Sequence, residues 1–155
     1  MCMKGWYPVN SLNFDGRVAS DPVMRYLQSG GAVANFTLMQ SIGQRNTTMR
    51  CVLFASAQEM SGDRRINEET GEPVRTRFEY FMDVVRKGHD VSVSGRVQNN
   101  NYSTESGGKQ TQTYGFECVV LDWTHHTSRQ EAERLLAAQT EKAEQAALEQ
   151  AALPI

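Results

Sequence analysis

Cysteine is scarce in this sequence, and its placement gives no sign of a paired or metal-binding framework. The chain contains three cysteines, Cys2, Cys51 and Cys118, and none belongs to a CxxC pair. An odd number of widely spaced cysteines argues against both a disulfide framework and a zinc site. We therefore expect reduced thiols, with Cys51 and Cys118 buried in apolar strands, where cysteine behaves as a small hydrophobic residue.

Long hydrophobic runs are also missing. No apolar stretch approaches the ~20 residues of a membrane-spanning helix, and Met1–Asn10 lacks the apolar centre of a signal peptide. We therefore expect a cytoplasmic protein that has no membrane partner.

The sequence lacks the signatures of catalysis and of cofactor binding. It has no glycine-rich phosphate loop, no zinc-deaminase motif and no nucleophile beside an evident base. His125 and His126 are adjacent, but no third metal ligand lies near them in sequence, so we interpret them as ordinary surface histidines. The sequence predicts a protein that is not an enzyme and that needs no cofactor or metal.

An excess of positive charge, the usual sign of a nucleic-acid partner, is absent as well. The formal net charge is −2, and residues 1–123 carry 13 basic and 13 acidic side chains. Residues 124–155 carry 3 basic and 5 acidic side chains, so the end of the chain holds the acidic excess. Binding to nucleic acid would therefore depend on where the cations lie rather than on their sum.

What the sequence does contain is a series of alternating strands. In residues 12–18 every second residue is apolar or glycine, which predicts a half-buried strand, and the alternation resumes from Ala32 to Leu38. Asp21-Pro22 and Ser29–Gly31 supply turn residues between these two segments. Because they are close in sequence, we expect the two strands to pair.

The middle of the chain predicts a third strand and a helix. Met49–Phe54 alternates, with Arg50, Val52 and Phe54 on one side, and it follows a short loop over Gln40–Thr48. Residues 61–73 read as a polar loop. Phe78, Phe81, Met82 and Val85 then form one apolar stripe at helical spacing, and Lys87-Gly88 is expected to end that helix.

Two further strands complete the predicted sheet. Asp90–Gln98 alternates cleanly, residues 99–112 read as a polar hairpin tip, and Thr113–Trp123 alternates again. In this last strand Tyr114, Phe116, Cys118 and Val120 are predicted to share one face. Five strands with a helix between the third and fourth give a mainly β fold, the five-stranded Greek-key barrel of the OB fold with one capping helix.

The end of the chain has a different composition. Ser128–Glu131 is a capping-box pattern, and alanine, leucine, glutamate and glutamine fill most positions of the following segment to Ala152. We therefore divide the chain into a barrel domain, residues 1–123, and a helical C-terminal extension, residues 124–155. The extension could dock on a protein partner or remain a solvated helix.

Several segments resemble the bacterial single-stranded DNA-binding proteins. The resemblance is carried by these motifs, in this order: Val9–Arg17, Asp21-Pro22, Arg25-Tyr26, Gly30–Phe36, Val52–Phe54 with Glu59, Arg86–Gly88, Val91–Val93, Gly95–Val97 and Tyr102. It implies an OB fold that coats single-stranded DNA during replication, recombination or repair. It also implies a homotetramer assembled through strand edges, for which Val9–Val18 is the candidate edge, and possible protein partners for the C-terminal helix.

The same resemblance implies the site residues. Phe54 and Tyr102 are the candidates for stacking on bases, with Arg50 beside Phe54 and Lys109 near Tyr102. The remaining candidates for phosphate contact are Arg17, Arg25, Lys87 and Arg96. Residues alone leave an alternative, in which Phe54 belongs to the core and Tyr102 is a solvated hairpin residue.

The sequence also departs from this family. Two tryptophan positions fall on Thr48 and near Gln44, and the acidic tip usual at the end of the chain is missing. A barrel with such a reduced binding face could instead serve as a protein-interaction or assembly module. We carry this as the alternative function.

Overall fold

A computed structural model of the chain describes residues 8–61 and 66–152. The strands are β1 (Leu12–Val18), β2 (Val23–Tyr26), β3 (Ala32–Ile42), β4 (Arg45–Ala55), β5 (Asp90–Asn99), β6 (Tyr102–Ser106), β7 (Lys109–Thr113) and β8 (Phe116–His125). The helices are α1 (Ala57–Met60), α2 (Arg77–Val84) and α3 (Arg129–Ala152). The expectation for Cys2 lies outside the described residues.

Five of the strands form the barrel that the alternation predicts. They lie in the order β1-β5-β8-β4-β3, and β1 closes the ring by pairing with β3 at Arg17↔Met39 and Val18↔Leu38. The β4–β8 pair is parallel and the other pairs are antiparallel. The expected pairing of the first two predicted strands is therefore confirmed, but only at this closure, because the main partner of β1 is β5.

The sequence-based expectation was wrong for the polar, exposed strands. β2 was missed: its four residues are all exposed and pair with β3, so they show no alternation in burial. The loop expected over residues 40–48 is instead a continuation of β3 and β4, joined by a two-residue turn in which Gly43 has φ 62°. Residues 41–48 are exposed, and strands with solvent on both faces carry no apolar signal.

The core lies inside the barrel and under α2. Leu38, Val91 and Phe81 are nearly completely buried, and the rings of Phe36 and Phe81 lie 4.8 Å apart. Helix α2 therefore covers one end of the barrel, as predicted. It ends at Val84 and not at Lys87-Gly88, and Gly88, with φ 88°, donates its backbone N–H to the Val18 carbonyl at 2.8 Å.

Strand β8 contains a bulge. Ser94 pairs with Asp122 but Gly95 pairs with Val120, so the intervening Leu121 is the extra residue of a bulge. A Cβ at Gly95 would lie 1.9 Å from the Val119 carbonyl oxygen, so the close approach of these backbones requires glycine.

The predicted inward face of β8 is only partly confirmed. Cys118 and Val120 belong to the core, whereas Tyr114 and Phe116 are 73% and 66% exposed. The strand begins at Phe116, so Tyr114 precedes it, and Phe116 pairs with Asn99 at the last residue of β5. Alternation alone did not show that the core ends before these two aromatics.

The buried thiols agree with the prediction. Cys51 and Cys118 are free thiols and are nearly fully buried. They are partners in register across the β4–β8 pair. Burial raises the pKa of Cys51 to about 12, and the neighbouring Cys118 adds to that shift. Burial also raises the pKa of Cys118.

His125 is not the ordinary surface histidine that we expected. Its Nε2 lies 3.0 Å from Nδ1 of His89. His89 is only 5% exposed, and the same Nδ1 accepts a hydrogen bond from the Arg86 backbone N–H at 3.3 Å. Burial is the main cause that lowers the pKa of His89. A backbone hydrogen bond with Val84 opposes this effect.

The chain divides into two compact units, and the boundary along the chain falls between residues 125 and 126. The second unit contains α3, which confirms that this segment is helical. Ser128 begins it as predicted, because its Oγ accepts the Glu131 backbone N–H at 3.2 Å. No helix in the described ranges is long and apolar enough to cross a membrane.

Candidate nucleic-acid interface

The outer face of the sheet presents an aromatic ring and a cation in the same row. Arg25 on β2 pairs with Val33 on β3, and Val33 pairs with Phe54 on β4. Cross-strand partners project to the same side of a sheet, so these three side chains form one row. Phe54 is 49% exposed, so its ring is on the surface, as the family resemblance predicted.

A second row lies two residues further along the same face. Asn35, Val52, Val119 and Arg96 are successive partners across β3, β4, β8 and β5. Val52 and Val119 are buried and form a small cluster with Val33, separate from the barrel core. This cluster is an apolar floor on the outer face of the sheet.

Arg50 occupies the next outward position of β4. It is exposed and pairs with Thr37. Together the rows surround a groove of about 440 Å³, which we call the outer groove. Its lining residues are Val23, Arg25, Val33, Asn35, Arg50, Val52, Phe54, Asn100 and Glu117.

The structure places Tyr102 and Lys109 on a separate two-stranded hairpin, β6–β7. Tyr102 pairs with Thr113 and Lys109 pairs with Ser106, so the two candidates lie at opposite ends of the hairpin. Four residues of strand separate them, or about 13 Å. The expected proximity of Tyr102 and Lys109 is therefore wrong, although both side chains are exposed on the same face of the hairpin.

Arg17 and Lys87 lie away from the outer groove. Arg17 forms an ion pair with Asp90 at 3.4 Å, and its partner Met39 is six residues along β3 from Val33. That separation corresponds to about 20 Å of strand. The backbone N–H of Lys87 donates to Asp21 Oδ1 at 2.8 Å, which holds the turn after α2.

Sequence reasoning missed three polar residues of the outer groove, Asn35, Asn100 and Glu117. Asn35 and Glu117 occupy outward positions of strands whose alternation was recognised, so the alternation contained the signal. Asn100 follows β5, where its backbone N–H donates to the Gly115 carbonyl at 2.8 Å. Nothing in its local sequence places it in the groove.

The barrel with its capping helix is an OB fold that carries an aromatic and basic groove on its outer face. A model of the "Single-strand binding protein family" matches residues 9–116. The chain belongs to this family.

Individual relatives agree with this assignment. The chain is 30% identical to a single-stranded DNA-binding protein of Lactiplantibacillus plantarum, over 84% of this chain and 57% of that protein. It is 31% identical to a single-stranded DNA-binding protein of Enterococcus faecalis, over 81% of this chain and 58% of that protein. The chain thus matches less than three-fifths of the length of these relatives.

A solved structure supports the fold. The structure described as a Plasmodium falciparum SSB complex with ssDNA superposes with a TM-score of 0.53, over 79% of this chain and 98% of that one. Its sequence identity is 17%, so the similarity is one of fold.

Proposed function

We propose that this protein binds single-stranded DNA without strong sequence preference, through the outer groove. The observation that supports this most directly is the exposed ring of Phe54, which lines the outer groove together with Arg25 and Arg50. Single strands expose both the faces of their bases and their phosphates. An aromatic ring and guanidinium groups in the same groove suit both, and each stacked base contributes on the order of 1 to 3 kcal/mol.

The other proposed contacts extend this groove. Arg96 lies on the same face, across β4 and β8 from Asn35, and is exposed. Tyr102 and Lys109 would contact the strand where it leaves the groove along the β6–β7 hairpin. Arg17 and Lys87 would contact only a strand that continues around the barrel, because they lie outside the groove.

A salt-dependent titration tests the proposal. The intact protein is titrated with an oligonucleotide of thymidines and with a duplex of the same length, at several salt concentrations. Single-strand affinity should be higher and should fall as salt rises, because phosphate contacts release counterions. Equal affinity for the duplex would refute the proposal. The absence of any salt-sensitive binding would favour the assembly module, which the thin aromatic platform at Gln44 and Thr48 leaves as the alternative.

We also propose a homotetramer in the cytoplasm that acts in replication, recombination or repair. The candidate edge is the side of β1 that faces β3, because β1 pairs with β3 only at Arg17 and Val18 within the described residues. Residues 12–16 can therefore offer backbone groups to a second copy. A sedimentation mass equal to one 17.4 kDa chain at micromolar concentration would contradict the oligomer.

The C-terminal helix has a different proposed role. Residues 1–123 form the proposed DNA-binding domain and residues 124–155 the extension, which would meet protein partners. The acidic excess of the extension disfavours contact with phosphate.

A further inference from the structure

The outer groove contains one feature that does not suit a polyanion, the carboxylate of Glu117. It is the one acidic residue among the described residues that line the groove, which it shares with three groups that suit DNA, Arg25, Arg50 and Phe54. A carboxylate at this place repels phosphate. If Glu117 contributes to binding, its carboxylate must therefore contact the bases and not the phosphates.

Glu117 is held in place by its neighbour on β5. Gln98 and Glu117 are cross-strand partners, and Gln98 Nε2 donates to Glu117 Oε1 at 2.6 Å. This bond orients the carboxylate, and Oε2 keeps its full acceptor capacity toward a ligand. The side chain is half-buried at the edge of the Val52–Val119 floor, where the edge of a bound base would lie.

An ionised carboxylate accepts hydrogen bonds and donates none. Cytosine presents an amino donor at N4, and adenine presents one at N6, whereas thymine presents the acceptor O4 at the equivalent position. Glu117 would bind the amino groups and repel the thymine carbonyl. Asn35 and Asn100 can both donate and accept, so they do not discriminate in this way.

We propose that Glu117 gives the outer groove a preference for cytosine and adenine over thymine at one position of the bound strand. This inference rests on the proposed function, since it needs single-stranded DNA in the groove. It goes beyond that function because binding of this kind otherwise gains sequence preference from stacking and backbone flexibility, not from hydrogen bonds to base edges.

A simpler effect of Glu117 would be electrostatic only. The register places Arg50 beside Glu117, since Cys51 and Cys118 are partners in the parallel β4–β8 pair. Removing the carboxylate would then strengthen phosphate binding by the same factor for every base. The ratio of affinities for two bases separates the two effects, because a charge effect cancels from the ratio.

The experiment compares oligonucleotides of cytidine and of thymidine, equal in length, with the wild-type protein and with Glu117→Gln. The neutral variant should bind both more tightly, and thymidine should gain more. We expect the ratio of the thymidine Kd to the cytidine Kd to fall about 3- to 10-fold, the range of one hydrogen bond. Glu105→Gln, on the exposed β6, is the matched control and should leave the ratio unchanged.

A second measurement uses the unmodified protein. An oligonucleotide of 2-pyrimidinone deoxynucleosides differs from cytidine only in lacking the 4-amino group, and it should bind about 3- to 10-fold more weakly than cytidine. Equal gains for both bases in Glu117→Gln, or equal binding of cytidine and 2-pyrimidinone, would overturn the inference and leave the proposed function intact. If no oligonucleotide binds the wild-type protein, both fail together.

Discussion

Replacing Phe54 with alanine separates a base-stacking ring from a core ring, because the two roles predict opposite results. If the ring stacks on a base, its loss removes on the order of 1 to 3 kcal/mol of binding. Since 1.4 kcal/mol is tenfold in Kd, single-strand affinity should fall about 5- to 150-fold. Phe54 is 49% exposed, so its ring contributes only about half of the free energy that a fully buried phenylalanine would contribute to folding. We expect the free energy of unfolding to fall by about 1 kcal/mol.

The assay pairs a fluorescence titration with urea unfolding of the same protein. Tyr80→Ala is the matched control, because Tyr80 is 46% exposed but lies on α2, where its ring stacks on Trp123 at 5.8 Å. That variant should lose some stability and keep its DNA affinity. A loss of about 3 to 5 kcal/mol in the stability of Phe54→Ala would show a buried ring. Unchanged DNA affinity would equally refute the stacking role.

Two other predictions concern the ends of β5 and β8. Because burial lowers the pKa of His89, the unfolded chain binds more protons at this residue than the folded protein does between the folded pKa and the ordinary value of 6.5. Stability should therefore be full above that pH and should fall as the pH drops toward the folded pKa. Urea unfolding across this range should show a smaller fall in His89→Gln, and an identical fall would contradict the reasoning. Truncation after His125 should remove the helical circular dichroism of α3 and preserve single-strand affinity, and a tenfold loss of affinity would place the extension in the binding site. The cut belongs after His125 and not after Trp123, because β8 continues to His125.

The sequence predicted the strands that have one face buried in the core and the other exposed to solvent. Residues 12–18 and 90–98 alternate because each strand has the core on one side, and both were placed correctly. β2 and the ends of β3 and β4 could not be predicted, because strands exposed on both faces have no reason to alternate. Their stability comes from backbone pairing with a neighbour, which is not a property of the local sequence.

The same distinction governs the candidate site. The alternation of β4 put Phe54 on the side opposite Cys51, but the family resemblance was needed to predict that this side faces outward, as the exposure of Phe54 confirms. The relation of Tyr102 to Lys109 depended on the hairpin register, and register is set by long-range pairing. Glu117 was on a recognised strand, but its place in the outer groove beside Arg50 follows only from the pairing of β8 with β4.

The charge distribution explains how a barrel with 13 basic and 13 acidic side chains can attract a polyanion. Several acidic side chains are paired with arginines outside the outer groove, as Asp90 is with Arg17 and Asp122 with Arg77. Within the described residues, Arg25, Arg50 and Arg96 are not among the ion pairs closer than 4.0 Å. The guanidinium groups of the binding face are therefore available for ion pairs with phosphate.

This arrangement sets the size of the salt effect. For single strands the slope of log K against log salt is about −0.7 per phosphate contact, so Arg25, Arg50 and Arg96 alone contribute about −2 to the slope of each barrel. Arg50→Gln should reduce the magnitude of the slope by about 0.7. Arg77→Gln is the control, because Arg77 is held by Asp122 at 2.9 Å and by the Trp123 carbonyl at 2.7 Å, and it should leave the slope unchanged. Equal slopes for the wild-type protein and Arg50→Gln would show that Arg50 makes no phosphate contact, and the strand would then have to follow a different path across the barrel.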